Sequence, residues 1–364
     1  MSGLATLVEQ RHIVVCCGSG GVGKTTTAAV LGLEGARRGR KTVVVTIDPA
    51  RRLADALGLE GLTDVPSRID GPWPGELWAT MLDTKSTFDA LVTKHAPDPD
   101  QASRILGNRF YRNISSALSG TQEYMAMEKL YQLHDETDFE LVVVDTPPTR
   151  HALDFLDAPR RLSRFLDHRL FRVLLAPGRG IVRAVNVAAQ TFLRTVSKVV
   201  GGEVVDDAIA FFAAFEGMEE GFRQRAGRVN EVLAAPETAF VLVASPRRDT
   251  VTEAQFFADR LREGGISVEG LVVNRVHPTF GTGSAEAAAE RARTLAGTEI
   301  GALYANLAEF RAVALRELAH LEGLSEAVAP APVAWVPFLR SDVHDLDGMA
   351  EVAGHIFAGS SRPA

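Results

Sequence analysis

Two cysteines in 364 residues, Cys16 and Cys17, leave little material for thiol chemistry. They are adjacent in an apolar run, and adjacent strand side chains point to opposite faces, so they make a poor joint metal site. There is no Cys-x-x-Cys pair and no further cysteine, which excludes a zinc motif, a disulfide framework and a shared iron–sulfur cluster. No apolar run approaches the ~20 residues of a membrane-spanning helix. Residues 1–17 lack the basic start, apolar centre and cleavage site of a secretory leader. The expected compartment is a reducing cytoplasm, with peripheral or transient membrane contact at most. Basic excess is missing as well. The 39 Lys and Arg face 46 Asp and Glu, a net charge of −7, which argues against nucleic acid as the main partner. No internal repeat or low-complexity segment is present. The remaining composition, 46% hydrophobic and 23% charged, is that of an ordinary globular chain.

What the chain does have stands near its start. Ile13 to Cys17 reads as a buried strand. It breaks into Gly18-Ser19-Gly20-Gly21-Val22-Gly23-Lys24-Thr25-Thr26-Thr27, and Thr25 to Arg38 reads as a helix. Gly18, Gly23, Lys24 and Thr25 fit the phosphate-loop spacing Gly-x-x-x-x-Gly-Lys-Ser/Thr. Glycines let successive N–H groups turn into one concavity, and the positive end of the following helix adds to that field. Lys24 is expected to reach the β- and γ-phosphates of a nucleotide, and the Thr25 hydroxyl to ligate Mg²⁺.

Thr42 to Ile47 is a second apolar strand, ending at Asp48-Pro49-Ala50. Carboxylates at such strand ends sit where ligands bind. Arg51 to Leu57 reads as a short helix, Gly58 to Gly75 as a loop and Leu77 to Asp83 as a strand. Ser86 to Tyr131 reads as helical, with breaks near Pro97, Pro99 and Gly120. Phe139 to Asp145 is the third strong strand. An apolar run ending in Asp, downstream of a phosphate loop, is the Walker B arrangement, with Asp145 holding Mg²⁺ or its water. Thr146-Pro147-Pro148-Thr149-Arg150-His151 follows at once, placed to sense a γ-phosphate. Further strands read at Thr238 to Ala244, at Val268 to Val273 with Asn274 ending it, and at Val333 to Val336. Helices read at Thr252 to Glu263, Glu286 to Ala296, Ile300 to Leu321 and Asp347 to Phe357.

This alternation predicts a doubly wound, mostly parallel α/β sheet. The expected organisation is a single phosphate-loop domain over residues 1–364. Its inserted helical subdomain comes from about 84–138 and 152–235, and residues 359–364 form a disordered tail. Within the insertion, Ile181, Val185, Ala189, Phe192, Val196 and Val199 recur at helical spacing, and Ile209, Phe211, Phe212, Phe215, Met218 and Phe222 form a second apolar cluster. Two readings stand: the interior of a helical subdomain, or a groove for a hydrophobic client helix.

The motifs from Gly18 to Thr27, Asp48-Pro49-Ala50, Asp145 to His151, Asn274 and Pro337-Phe338 resemble, in order, those of the arsenical-pump and tail-anchored-protein targeting ATPase family. That family has a deviant Walker A loop, and the chain is especially similar to actinobacterial members called anion-transporting ATPases. The resemblance runs from about His12 to Phe357 and includes the long helical insertion. It implies an ATP- and Mg²⁺-dependent, dimeric switch that couples nucleotide state to a hydrophobic client. By position, Gly20, Gly21, Val22, Gly23, Lys24, Thr25 and Thr26 would hold phosphates. Lys24 and Asp48 would serve catalysis, Asp48 by orienting the attacking water. Thr25, Asp48 and Asp145 would serve the metal, and Asn274, Pro337 and Phe338 the adenine.

Three departures follow from the same resemblance. The family has Lys where this chain has Ser19, and that lysine crosses to a partner's phosphates. Arg52 and Arg150 stand where the targeting ATPases have Asn and Gly, and each is either substitute charge or a solvated side chain. The cysteine pair that clamps zinc between eukaryotic subunits is absent. The expected assembly is a homodimer, or a heterodimer with a paralogue that carries the lysine. A catalytically weak regulatory subunit of such a heterodimer is one alternative. An arsenite-type pump subunit is another, but arsenite prefers soft thiolate ligands and the only two cysteines lie on a buried strand.

Overall fold

The computed structural model describes residues 3–48, 52–112, 121–148 and 217–358, with five further positions between 203 and 214. They fall into two compact units. One gathers residues 1–81, 132–153 and 234–364, and the other residues 82–131 and 154–233.

In the first unit the apolar runs become strands. In chain order these are α1 (Gly3–Gln10), β1 (Ile13–Gly18), α2 (Lys24–Arg37), β2 (Lys41–Thr46), α3 (Arg52–Ala56), β3 (Ser67–Ile69) and β4 (Glu76–Met81). The strands pair in one sheet with β5 (Leu141–Asp145), β6 (Thr238–Ala244), β7 (Val268–Val276) and β8 (Val333–Pro337), in the order β3-β4-β2-β5-β1-β6-β7-β8. Every neighbouring pair is parallel except β3 with β4. Parallel pairing needs both faces covered, which is why β1, β5 and β6 are buried along their whole length.

Alternate strand residues meet one core. Val14 and Cys16 of β1, Val44 of β2, Val143 of β5 and Val241 and Val243 of β6 pack with Ala28, Leu31 and Leu33 of α2 and with Leu4 and Val8 of α1. The last helix of the chain, here introduced as Leu346–Phe357, adds Met349, Val352 and Ile356 to the same core. Cys17, one residue on from Cys16, is buried outside that cluster, as a period of two requires. Both thiols are free, and burial raises both their pKa values, so both stay protonated.

The structure revises two local expectations and adds one element. The segment read as a loop between Gly58 and Gly75 contains β3, whose Ile69 is its only buried residue. Asn274 does not end β7, which runs on to Val276. The register against β8 shifts between Val273 and Val276, and Arg275 there takes φ 63. That is a β-bulge. Helix α1 was not foreshadowed by the sequence pattern. Its buried Leu4, Ala5, Leu7 and Val8 crowd into one short amphipathic stretch.

In the second unit, α4 (Thr84–His95) and α5 (Pro99–Gly107) begin at Asp83 and Asp98. Their carboxylates accept the N–H groups of Ser86 and Gln101. Helices α6 (Thr121–Asp135) and α7 (Glu219–Ala234) are joined by a buried ion pair. Arg225 donates to both oxygens of Glu128 at 2.6–3.0 Å, and its guanidinium lies 3.7 Å from the Tyr131 ring centre. Phe211, Met218 and Phe222 are buried. Residues 181–199, Arg150 and the 359–364 tail lie outside the described residues.

The other helices of the first unit are α8 (Arg248–Glu263), α9 (Ala285–Thr294) and α10 (Glu299–Ala327), so the helix Leu346–Phe357 is α11. No helix among the described residues is long and apolar enough to cross a membrane.

Candidate nucleotide site

The phosphate loop lies at the carboxyl end of β1, in the middle of the sheet, with β5 on one side and β6 on the other. Side chains cap five helix starts: Asp83, Asp98, Ser284, Thr298 and Asp345 each accept a backbone N–H. Helix α2 has no such cap. Its first residue follows Gly23 at φ 97, and its first turn holds no acid. The leading N–H groups are left for an outside anion. Gly23 also has no room for a side chain, since a Cβ there would fall 2.2 Å from Asn274 Nδ2.

Lys24 is buried beneath the loop and donates to the Ser19 carbonyl at 2.7 Å. Burial lowers its pKa, and the carboxylates of Asp145 and Asp48 work against that fall. Strand pairing sets Asp145 level with Cys16 on one side and Thr46 on the other. Its Oδ2 accepts from the Thr25 and Thr46 hydroxyls, both at 2.9 Å. Its Oδ1 is buried with no partner among the described residues. Burial pushes the Asp145 carboxyl up to about 6, against the pull of the Thr25 and Thr46 hydroxyls. Asp48, two residues beyond β2, takes its N–H to Thr46 Oγ1 at 3.3 Å, and its carboxylate lies 3.6 Å from Arg52. The Thr146 hydroxyl donates to the Cys16 carbonyl at 2.7 Å.

The structure therefore brings Lys24, Thr25, Asp48 and Asp145 together at the carboxyl ends of the central strands, beside the loop Gly20-Gly21-Val22-Gly23 and the first helical turn with Thr26. Asn274 also reaches the loop, its Nδ2 donating to Val22 O at 2.9 Å. Pro337 and Phe338 join β7 rather than the loop: Pro337 stands level with Val276, and Phe338 N–H donates to Val276 O. The Phe338 ring is 57% exposed and stacks on His277 with centres 5.5 Å apart.

Residues 11–296 match the anion-transporting ATPase family. The chain belongs to that family. Among known proteins it is similar to "ATPase GET3" of Malassezia globosa, 26% identical over 75% of this chain and 76% of that protein. It is also similar to "ATPase get3" of Pyrenophora tritici-repentis, 24% identical over 75% and 76%. A third relative is "ATPase ASNA1 homolog 1" of Paramecium tetraurelia, 26% identical over 71% of this chain and 73% of that protein.

This member of the anion-transporting ATPase family is thus a nucleotide-binding ATPase. Two groups beside the loop, Thr46 and Arg275, were not singled out by the sequence pattern. Thr46 closes an apolar strand, and only the pairing of β2 with β5 reveals that its hydroxyl serves Asp145. Arg275 reaches back to the loop, its Nη1 donating to Gly21 O at 3.0 Å. Ser19 is buried, and its hydroxyl donates to the Thr250 carbonyl at 3.3 Å.

Proposed function

We propose that this ATPase is a Mg²⁺-dependent switch in which ATP sits on the loop between Gly20 and Thr26. The single observation that carries the metal reading is the bare Oδ1 of Asp145. A buried carboxylate oxygen without a partner is rare. Beside the Thr25 hydroxyl it fits a water of a hydrated divalent ion, and Mg²⁺ keeps several of its waters. Thr25 and Asp145 would hold the ion, with Asp48 at its edge. Bound there, Mg²⁺ would offset charge on the phosphate oxygens.

The chain's own groups do the rest. Lys24 exchanges the Ser19 carbonyl for the β- and γ-phosphates. Asp48 leaves Arg52 to orient the attacking water. The amides of Val22 and Gly23 and the start of α2 receive phosphate oxygens. Asn274, Pro337 and Phe338 hold the adenine. The first test is calorimetry with Mg²⁺ and a non-hydrolysable ATP analogue. Binding that Asp145→Ala abolishes supports the site, and no heat at millimolar nucleotide would refute it. Asp48→Asn is expected to bind ATP and lose turnover. Equal turnover would favour a weakly catalytic regulatory subunit.

The wider role rests on kinship. The switch would couple nucleotide state to a hydrophobic client segment, as in the targeting branch of the resemblance, with two subunits per assembly. Ser19 carries no charge, so this chain would not supply the cation that crosses to a partner. A paralogue with lysine at that position would complete the site, and adding it to the purified chain should raise turnover. A fast isolated chain, unchanged by Ser19→Lys, would reject this pairing. An arsenite site is disfavoured, because both thiols are buried and protonated.

A further inference from the structure

Arg275 lies in the β7 bulge with φ 63, a left-handed conformation uncommon for a residue with a side chain. Its own N–H is held by Asn274 Oδ1 at 2.9 Å. Held this way, its guanidinium reaches Gly21 O, while Asn274 Nδ2 takes Val22 O. Two successive carbonyls of the phosphate loop are therefore gripped by two successive residues of β7.

A peptide unit is planar and trans, so its C=O and N–H point opposite ways. The Gly21 carbonyl shares its unit with the Val22 N–H. The Val22 carbonyl shares its unit with the Gly23 N–H. Fixing the two carbonyls toward β7 turns both N–H groups away from it. Left to itself, a loop with glycine at 18, 20, 21 and 23 would sample many peptide orientations. Strained backbone persists where the surroundings over-determine it, often at functional sites.

We propose that Arg275 is a positioning residue for the phosphate cradle: its guanidinium sets the Gly21–Val22 peptide so that the Val22 amide faces the β-phosphate. This rests on the nucleotide site proposed above. The test uses the full chain, with ADP and AMP as calorimetric probes, AMP by competition. Arg275→Gly can adopt φ 63 freely, so it should melt no lower than the wild type. It should bind ADP about tenfold more weakly, the scale of one charge-assisted hydrogen bond. AMP, which has no β-phosphate, should bind as before. Arg275→Lys keeps a donor without the fork and should recover part of the ADP affinity.

A glycine variant that binds ADP like the wild type overturns the proposal and leaves the site standing. Equal losses for ADP and AMP also overturn it, because the effect would then not lie at the β-phosphate. A wild type that takes up no ADP removes the site and the proposal together.

Discussion

The Asp145 carboxyl sits where solvent cannot reach it, with one oxygen bonded and one bare. Its pKa, pushed up to about 6 from an ordinary 3.8, means the folded state holds this proton more tightly than the unfolded one. Without metal, that group's contribution to stability falls as pH rises from about 4 to about 6 and is flat above. In chelator at neutral pH, Asp145→Asn should therefore gain up to about 3 kcal/mol, measured by denaturant unfolding. The same variant should lose Mg²⁺-dependent turnover, and in the wild type Mg²⁺ affinity should weaken as pH drops through about 6, where the metal-free carboxyl takes up its proton.

Gly23→Ala attacks the same site from the backbone. It combines φ 97 with a Cβ 2.2 Å from Asn274 Nδ2, so nucleotide affinity should drop at least tenfold by calorimetry. At this scale the grouping of Lys24, Thr25 and Asp145 was legible, the first two from the fixed spacing of the loop and Asp145 from its place at the end of an apolar run. Thr46 and Arg275 were not. A hydroxyl ending an apolar strand looks ordinary, and a contact between positions 21 and 275 leaves no local periodicity.

Helices and strands show a different division. The runs that became β1, β2, β5 and β6 could be read because burial on both faces writes continuous apolar residues. β3 could not, since three residues with one buried side chain carry no pattern. Its value is positional: a short antiparallel strand covers the edge of β4, where a longer open edge would invite pairing with another chain. Helix α2 lies close on the sheet because Gly32 has no side chain; a Cβ there would meet Val44 Cγ2 at 2.2 Å. Gly32→Val should cost roughly 1–3 kcal/mol by overpacking, read from the urea midpoint. In the second unit, Glu128→Ala would leave the Arg225 guanidinium buried without its carboxylate. It should cost about 3–5 kcal/mol, more than replacing both partners with apolar residues of like volume.

Over the whole molecule, α/β alternation made the sheet readable, but not the order in which the strands lie. That order puts β1 between β5 and β6, and so sets the loop beside Asp145. Any ligand that binds only the folded state raises stability by mass action. ADP with Mg²⁺ at a hundred times its Kd should add about 2.7 kcal/mol. Thermal melts should show the shift with both present and lose much of it when chelator is added. No shift with either would contradict the site.

Trp335 occupies β8 three residues before Phe338 and is almost wholly shielded, while Trp73 and Trp78 belong to other segments. Replacing those two with phenylalanine would leave a chain with a single indole emitter, seated on the strand that ends at the proposed adenine platform. Its emission colour and quenching would then follow base docking in real time, without any attached dye.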